Sequence, residues 1–116
     1  MSSIESLQQQ LAKFARERDW EQFHTPKNIA MALTVEAAEL LEHFQWLTPE
    51  QSEGLSDKKL AEIQQEMADV QLYLLRLAQI LNIDILAACE EKMRINAEKY
   101  PADKVKGSAR KYSEYD

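Results

Sequence analysis

The sequence predicts an all-α fold, a four-helix bundle whose helices are joined by short links. The chain of 116 residues contains only two glycines and three prolines, which leaves little turn chemistry for a many-stranded sheet. Apolar residues recur at intervals of three and four, which is the spacing of one helix face. Hydrophobic residues make up 45% of the chain, enough for one domain with a modest core.

The first helix is predicted to begin with a capping box of Ser2 and Glu5 and to run to about Arg18. Residues 19–24 then form a connector that carries two aromatic side chains. The apolar face of this helix consists of Ile4, Leu7, Leu11 and Phe14.

The second helix is predicted to start at Thr25, with Pro26 in the first helical position, and to end near Trp46. The same Thr-Pro signal at residues 48–49 predicts a short turn that Gly54 ends. The apolar stripe of the second helix consists of Ile29, Leu33, Ala37, Leu40, Leu41 and Phe44.

Ser56 is the predicted cap of the third helix, which runs to about Leu81. Asp84 caps the fourth helix, which stops before Pro101 and places Cys89 on its apolar stripe. We therefore expect a helical catalytic domain over residues 1–100 and a polar, irregular tail over residues 101–116.

The net charge of −6 argues against binding to duplex nucleic acid, which requires a basic surface. No apolar run approaches the roughly 20 residues that span a bilayer, so we expect no membrane segment. The N-terminus shows no signal-peptide pattern, and Cys89 has no second cysteine to pair with. A cytoplasmic protein is the expectation.

Two acidic pairs, Glu36 with Glu39 and Glu66 with Asp69, lie in the second and third helices. Residues three apart share a helix face, and each pair borders an apolar arc at the same offset. Four carboxylates that converge repel one another unless a cation joins them, and Mg²⁺ prefers such oxygen ligands. A solvated acidic surface is an equally good interpretation of the spacing alone.

The fourth helix carries a polar stripe of Lys92, Asn96 and Lys99 beside its apolar positions. If the apolar faces meet, this stripe and the acidic pairs reach the rim of the core together. That arrangement would suit a metal-bound polyphosphate.

Trp20 and Trp46 both lie next to predicted helix ends. Either can fill a core or interface, and either can stack on a nucleobase. Aromatic residues at helix ends can also be covered by a second subunit, so a homodimer and a homotetramer are both compatible with the sequence.

The acidic pattern, Glu36-x-x-Glu39 followed by Glu66-x-x-Asp69, resembles the signature of MazG-like nucleotide pyrophosphohydrolases. Several further stretches resemble the dCTP pyrophosphatase branch of that family. These stretches are residues 18–24, 44–46, 69–73, 92–96, 100–101 and 107–112.

The resemblance implies an all-α homo-oligomer that hydrolyses a nucleoside triphosphate, with dCTP or a modified dCTP favoured, to the monophosphate and pyrophosphate. It also implies dependence on Mg²⁺ and a role in clearing unwanted nucleotides from the pool. The implied metal ligands, which are also the catalytic residues, are Glu36, Glu39, Glu66 and Asp69. The implied substrate-binding residues are Trp20 and Trp46 at the base and Tyr73, Lys92, Asn96 and Lys99 near the sugar and phosphates.

Three alternatives remain from the sequence. The first is a non-catalytic helical bundle that binds partner helices. The second is a di-iron bundle, which is disfavoured because His43 follows Glu39 by four residues, whereas the di-iron pattern requires three. The third is the same chemistry with dUTP or a broad set of triphosphates, because aromatic stacking does not distinguish the bases.

Overall fold

The structure, a computed structural model, describes residues 3–109, which form helices and connecting turns without a strand. The predicted all-α class is confirmed. No single helix in this range is long and apolar enough to cross a membrane, although α4 and α5 together, with the break between them, meet the same criteria. In chain order, the elements are α1 (Ile4–Glu17), a 3-10 turn (Glu21–Phe23), α2 (Pro26–Glu42), α3 (Pro49–Glu53), α4 (Asp57–Ile80), α5 (Ile85–Lys99) and α6 (Ala102–Val105).

The chain divides into two compact units, Met1–Ile83 and Asp84–Asp116. In the first unit, the long helix α4 packs against both α2 and α1. The division of the chain into a catalytic domain over residues 1–100 and a tail stays a prediction. The buried apolar core consists of Ala15, Ile29, Ile63, Leu75 and Ala78, all in the first unit.

The predicted helix starts are confirmed for α2, α3, α4 and α5. The side-chain oxygens of Thr25, Ser56 and Asp84 each accept a hydrogen bond from the backbone N–H three residues later, at 3.1–3.2 Å. Thr48 and Gln51 form a reciprocal capping box at the start of α3. These starts were predictable because a cap is a local interaction within one turn of chain.

The predicted start of α1 needs correction. Ser3, in extended conformation, caps this helix by accepting a hydrogen bond from the Ser6 N–H at 3.1 Å. The backbone N–H of Leu7 donates to the Ser3 carbonyl, so Ser3 accepts the first hydrogen bond of the helix. Ser2, the predicted cap, lies outside the described residues.

Three further predictions about helix ends and faces were wrong. The α2 helix ends at Glu42, before Trp46, because its last turns change to the tighter i to i−3 hydrogen bonds. The predicted irregular tail contains a helical turn, α6, and residues 110–116 of it lie outside the described range. Cys89, predicted to face the core, is exposed, as are Leu86 and Met93 on the same helix.

Two helices end in a left-handed residue other than glycine. Asp19 has φ 56° and Asn82 has φ 59°, and these are two of the residue types that tolerate this conformation best. The next N–H bonds back by five residues, from Trp20 to the Ala15 carbonyl and from Ile83 to the Ala78 carbonyl, both at 2.8 Å. This is the Schellman arrangement, which fixes the direction of the chain as it leaves a helix.

Replacement of Leu75 with Ala is expected to lower the free energy of unfolding by about 2–5 kcal/mol, because its fully buried side chain fills the α4 core. Leu60→Ala, on the same helix but 48% exposed, is the matched control and is expected to cost about 1 kcal/mol or less. Urea unfolding followed by circular dichroism measures both values. Equal losses in the two variants would show that the core does not lie at Leu75.

Candidate functional site

The packing of α2 against α4 brings three of the four predicted carboxylates together. One carboxylate oxygen from each of Glu36, Glu39 and Glu66 lies within 4.8 Å of the others. Asp69, one turn beyond Glu66 on α4, is exposed, and it lies outside this group of three while lining a cavity together with Glu36. The predicted convergence is therefore observed for three residues, with Asp69 at their edge.

The three glutamates, which we call the carboxylate cluster, lack positive charge. Burial, hydrogen bonding to Glu39 and Glu66, and repulsion from the charges of Glu39 and Asp69 raise the pKa of Glu36 to about 7. The Oε2 atom of Glu66 is buried and has no hydrogen-bond partner. A proton on Glu36 relieves part of the repulsion among the carboxylates, yet the Oε2 atom of Glu66 still has no hydrogen-bond donor.

A hard divalent cation fits these residues. An unpartnered buried acceptor is uncommon in folded proteins and indicates a missing donor or ion. Mg²⁺ is held by carboxylate oxygens, and its positive charge would replace the proton that Glu36 otherwise retains. The carboxylate cluster therefore has both the ligand type and the unmet charge that a Mg²⁺ site requires.

A cavity of about 420 Å³ adjoins the carboxylate cluster. Glu36 and Asp69 supply its acidic part, and most of the remaining wall is apolar or aromatic. The other lining residues are Leu7, Gln10, Leu11 and Phe14 of α1, then Trp20 and His24, and Leu72, Tyr73 and Arg76 of α4.

The turn at the end of α1 positions Trp20 in the wall of this cavity. Trp20 follows the left-handed residue Asp19, and its ring meets Phe14 edge to face with 5.7 Å between ring centroids. The guanidinium of Arg18 lies 3.5 Å from the centre of the Phe14 ring. Two of the predicted substrate-binding residues, Trp20 and Tyr73, thus line one cavity with Glu36 and Asp69.

Sequence reasoning missed three polar residues of the cavity, Gln10, His24 and Arg76. The Nε–H of Arg76 donates to the Nδ1 atom of His24 at 3.0 Å. Burial and the nearby charge of Arg76 lower the pKa of His24, which keeps its ring neutral near pH 7. The spacing of Asp69, Tyr73 and Arg76, at i, i+4 and i+7 on α4, was the available signal.

The other predicted site residues lie elsewhere. Trp46 is 86% exposed and does not line the cavity. Lys92 and Lys99 are exposed and Asn96 is half-buried on α5, in the second unit. The roles of these four residues in substrate binding stay predictions.

Comparison with known proteins gives a family assignment. Residues 31–115 match the MazG-like family. The chain belongs to the MazG-like family. The range includes the carboxylate cluster and every cavity residue contributed by α2 and α4.

Relatives of this MazG-like chain carry informative names. It is 43% identical to dCTP pyrophosphatase 1 of Homo sapiens and 40% identical to that of Rattus norvegicus, over 97% of this chain and 67% of each relative. A crystal structure of a pyrophosphatase from Archaeoglobus fulgidus has a TM-score of 0.81 and 37% identity, covering 87% of this chain and 94% of that one. The MazG-like chain is therefore an enzyme, a hydrolase of the diphosphatase class.

The raised pKa of Glu36 predicts how the metal-free protein responds to pH. The folded state retains a proton that the unfolded state releases near the ordinary value of 4.5, so stability present below pH 4.5 is lost as the pH rises through about 7. Glu36→Gln is expected to reduce this loss, because it removes a charge from the cluster. Urea unfolding in EDTA from pH 4.5 to 8 measures the effect.

The control for this experiment is Glu42→Gln, which removes an equal charge from an exposed position on α2. It is expected to leave the pH dependence of the wild type in place. Addition of Mg²⁺ is expected to stabilise the wild type at pH 8 and not Glu36→Gln. A flat stability profile in the wild type would contradict the repulsion described for the cluster.

Proposed function

We propose that this chain is a Mg²⁺-dependent nucleoside triphosphate pyrophosphohydrolase that converts dCTP or a modified dCTP to the monophosphate and pyrophosphate. The observation that carries the proposal is the position of the carboxylate cluster beside a cavity with an aromatic wall. The carboxylate cluster suits a metal-bound triphosphate, and the aromatic wall of the cavity suits a base. The role is removal of unwanted nucleotides from the cytoplasmic pool.

In this proposal, the metal and phosphates bind at one end of the cavity and the base binds at the other. Glu36, Glu39 and Glu66, with Asp69 at their edge, would hold Mg²⁺, which would supply charge to neutralise the phosphates and to lower the pKa of a water. A carboxylate that is not engaged as a ligand accepts the proton of the attacking water. Trp20 offers a face to the base, and the apolar wall excludes bulk water from it.

The roles that we propose for Tyr73 and for the α5 residues are based on the chemistry of their side chains. The Tyr73 hydroxyl can donate to a sugar or phosphate oxygen, since Tyr73 lines the cavity one turn beyond Asp69. Lys92, Asn96 and Lys99 supply cationic and amide donors for the phosphates, and Trp46 supplies a second aromatic face for the base. The preference for dCTP is supported by the names of the relatives and by their 40–43% identity to this chain.

Incubation of the protein with dCTP and Mg²⁺ is expected to release dCMP and pyrophosphate in equal amounts. Glu39→Gln is expected to lower the rate by about 100-fold or more, because it removes one ligand from the cluster. Ion-exchange chromatography of the products, with an assay for pyrophosphate, measures both. Glu42→Gln, one turn along α2, is the matched control and is expected to retain the wild-type rate.

Two results of this assay would contradict the proposal. Release of orthophosphate without pyrophosphate would show that a different bond is cleaved. Absence of turnover with every deoxy- and ribonucleoside triphosphate, in Mg²⁺ or Mn²⁺, would favour the alternative of a non-catalytic helical module. Faster turnover of dUTP than of dCTP would change the proposed substrate but not the proposed reaction.

We also propose that the chain works as a homo-oligomer, either a dimer or a tetramer. Large apolar side chains are exposed on α2 and just beyond it, namely Met31, Val35, Leu41 and Trp46, between 51% and 86% exposed. Exposed apolar groups of this size are typical of an interface between subunits. Sedimentation velocity is expected to give at least twice the mass of one chain, and a monomer at assay concentrations would contradict a shared site.

A further inference from the structure

Arg76 is a half-buried cation in the cavity wall with an unusual set of partners. Among residues 3–109 it forms no ion pair with a carboxylate. Its Nε–H donates to His24 at 3.0 Å, and its Nη1 donates to the side-chain oxygen of Gln79 at 2.7 Å. The amide nitrogen of Gln79 donates in turn to the Gln8 carbonyl of α1, at 3.0 Å. The guanidinium is therefore fixed in place by neutral groups.

The fixed guanidinium retains unused donors. Arginine has five N–H donors and no acceptor, and in the described part of the chain Nη2 makes no hydrogen bond. His24 adds another, because a neutral ring that accepts at Nδ1 carries its hydrogen on Nε2. This end of the cavity therefore offers donors that suit a ligand with hydrogen-bond acceptors. Burial lowers the pKa of Arg76, and the nearby charge of Glu21 opposes this only in part, without forming an ion pair within residues 3–109.

The position of Arg76 along α4 indicates which part of a nucleotide it meets. It lies seven residues after Asp69, which corresponds to two helical turns or about 10 Å along the helix axis. If phosphates bind at the carboxylate cluster, as the proposed function requires, the base extends away from them. Trp20, which offers a stacking face, lines the same cavity as Arg76.

We propose that Arg76 is a specificity-determining residue whose N–H donors read the acceptor edge of a cytosine base. Cytosine presents two neighbouring acceptors, N3 and O2. Uracil carries a hydrogen on N3, which would face the guanidinium donors without a bond. Discrimination by one such pair of hydrogen bonds corresponds to about 5- to 150-fold. This inference rests on the proposed function for the orientation of the nucleotide.

The test compares dCTP with dUTP in wild type, Arg76→Met and Arg76→Lys. In Arg76→Met, kcat/KM for dCTP is expected to fall by about 10-fold or more while that for dUTP changes little. Arg76→Lys keeps the charge without the planar fork and is expected to recover only part of the preference. Arg16→Met, at an exposed position on α1 outside the cavity, is the matched control and is expected to keep the wild-type ratio.

Two results would overturn the inference. An equal loss of kcat/KM for dCTP and dUTP in Arg76→Met would show that Arg76 supports the phosphates or the fold. A wild-type enzyme that does not prefer dCTP to dUTP would show that Arg76 does not select the base. If Arg76→Met proves unfolded by circular dichroism, Arg76→Lys decides the question by the same ratio.

A second measurement separates this inference from the proposed function. Calorimetric binding of dCMP and dUMP without metal requires no hydrolysis. If the wild type binds dCMP selectively and Arg76→Met abolishes this selectivity, the inference is supported. Absence of pyrophosphate release by the wild type would then contradict only the proposed function. Equal affinity of the wild type for the two monophosphates would count against base reading by Arg76.

Discussion

The packing of α2 against α4 is the contact on which the site depends. Burial of apolar side chains such as Ile29, Ile63 and Leu75 holds the two helices together, and each contributes roughly 1.5–3 kcal/mol. The same packing forces Glu36, Glu39 and Glu66 within 4.8 Å of one another against their mutual repulsion. The core therefore holds these carboxylates together, and burial, hydrogen bonding within the cluster and repulsion together raise the pKa of Glu36.

The cavity is chemically different at its two ends, and the difference follows the helix α4. Glu36 and Asp69 make one end acidic, while Arg76 and His24 make another part rich in hydrogen-bond donors. A chain of net charge −6 does not attract a triphosphate without a cation. A metal at the acidic end would thus provide affinity for phosphates, and the donors of Arg76 and His24 would favour bases that present acceptors.

The parts of this structure that could be predicted from the sequence are those set by local interactions. Caps such as Thr25 and Ser56 act within one turn, and the pairs on α2 and α4 share a helix face by spacing alone. The pairing of Arg76 with His24, 52 residues apart, depends on how distant segments pack, and no local pattern encodes it. The exposure of Cys89 was missed for a related reason, since a helix face is buried only if another element covers it.

Anomalous diffraction from crystals grown with excess Mn²⁺ would show whether the carboxylate cluster binds a metal. Mn²⁺ takes the same oxygen ligands as Mg²⁺ and scatters anomalously. An anomalous peak is expected within coordination distance of Glu36, Glu39 and Glu66. A cluster without a peak at saturating Mn²⁺, with the three carboxylates still together, would contradict metal binding.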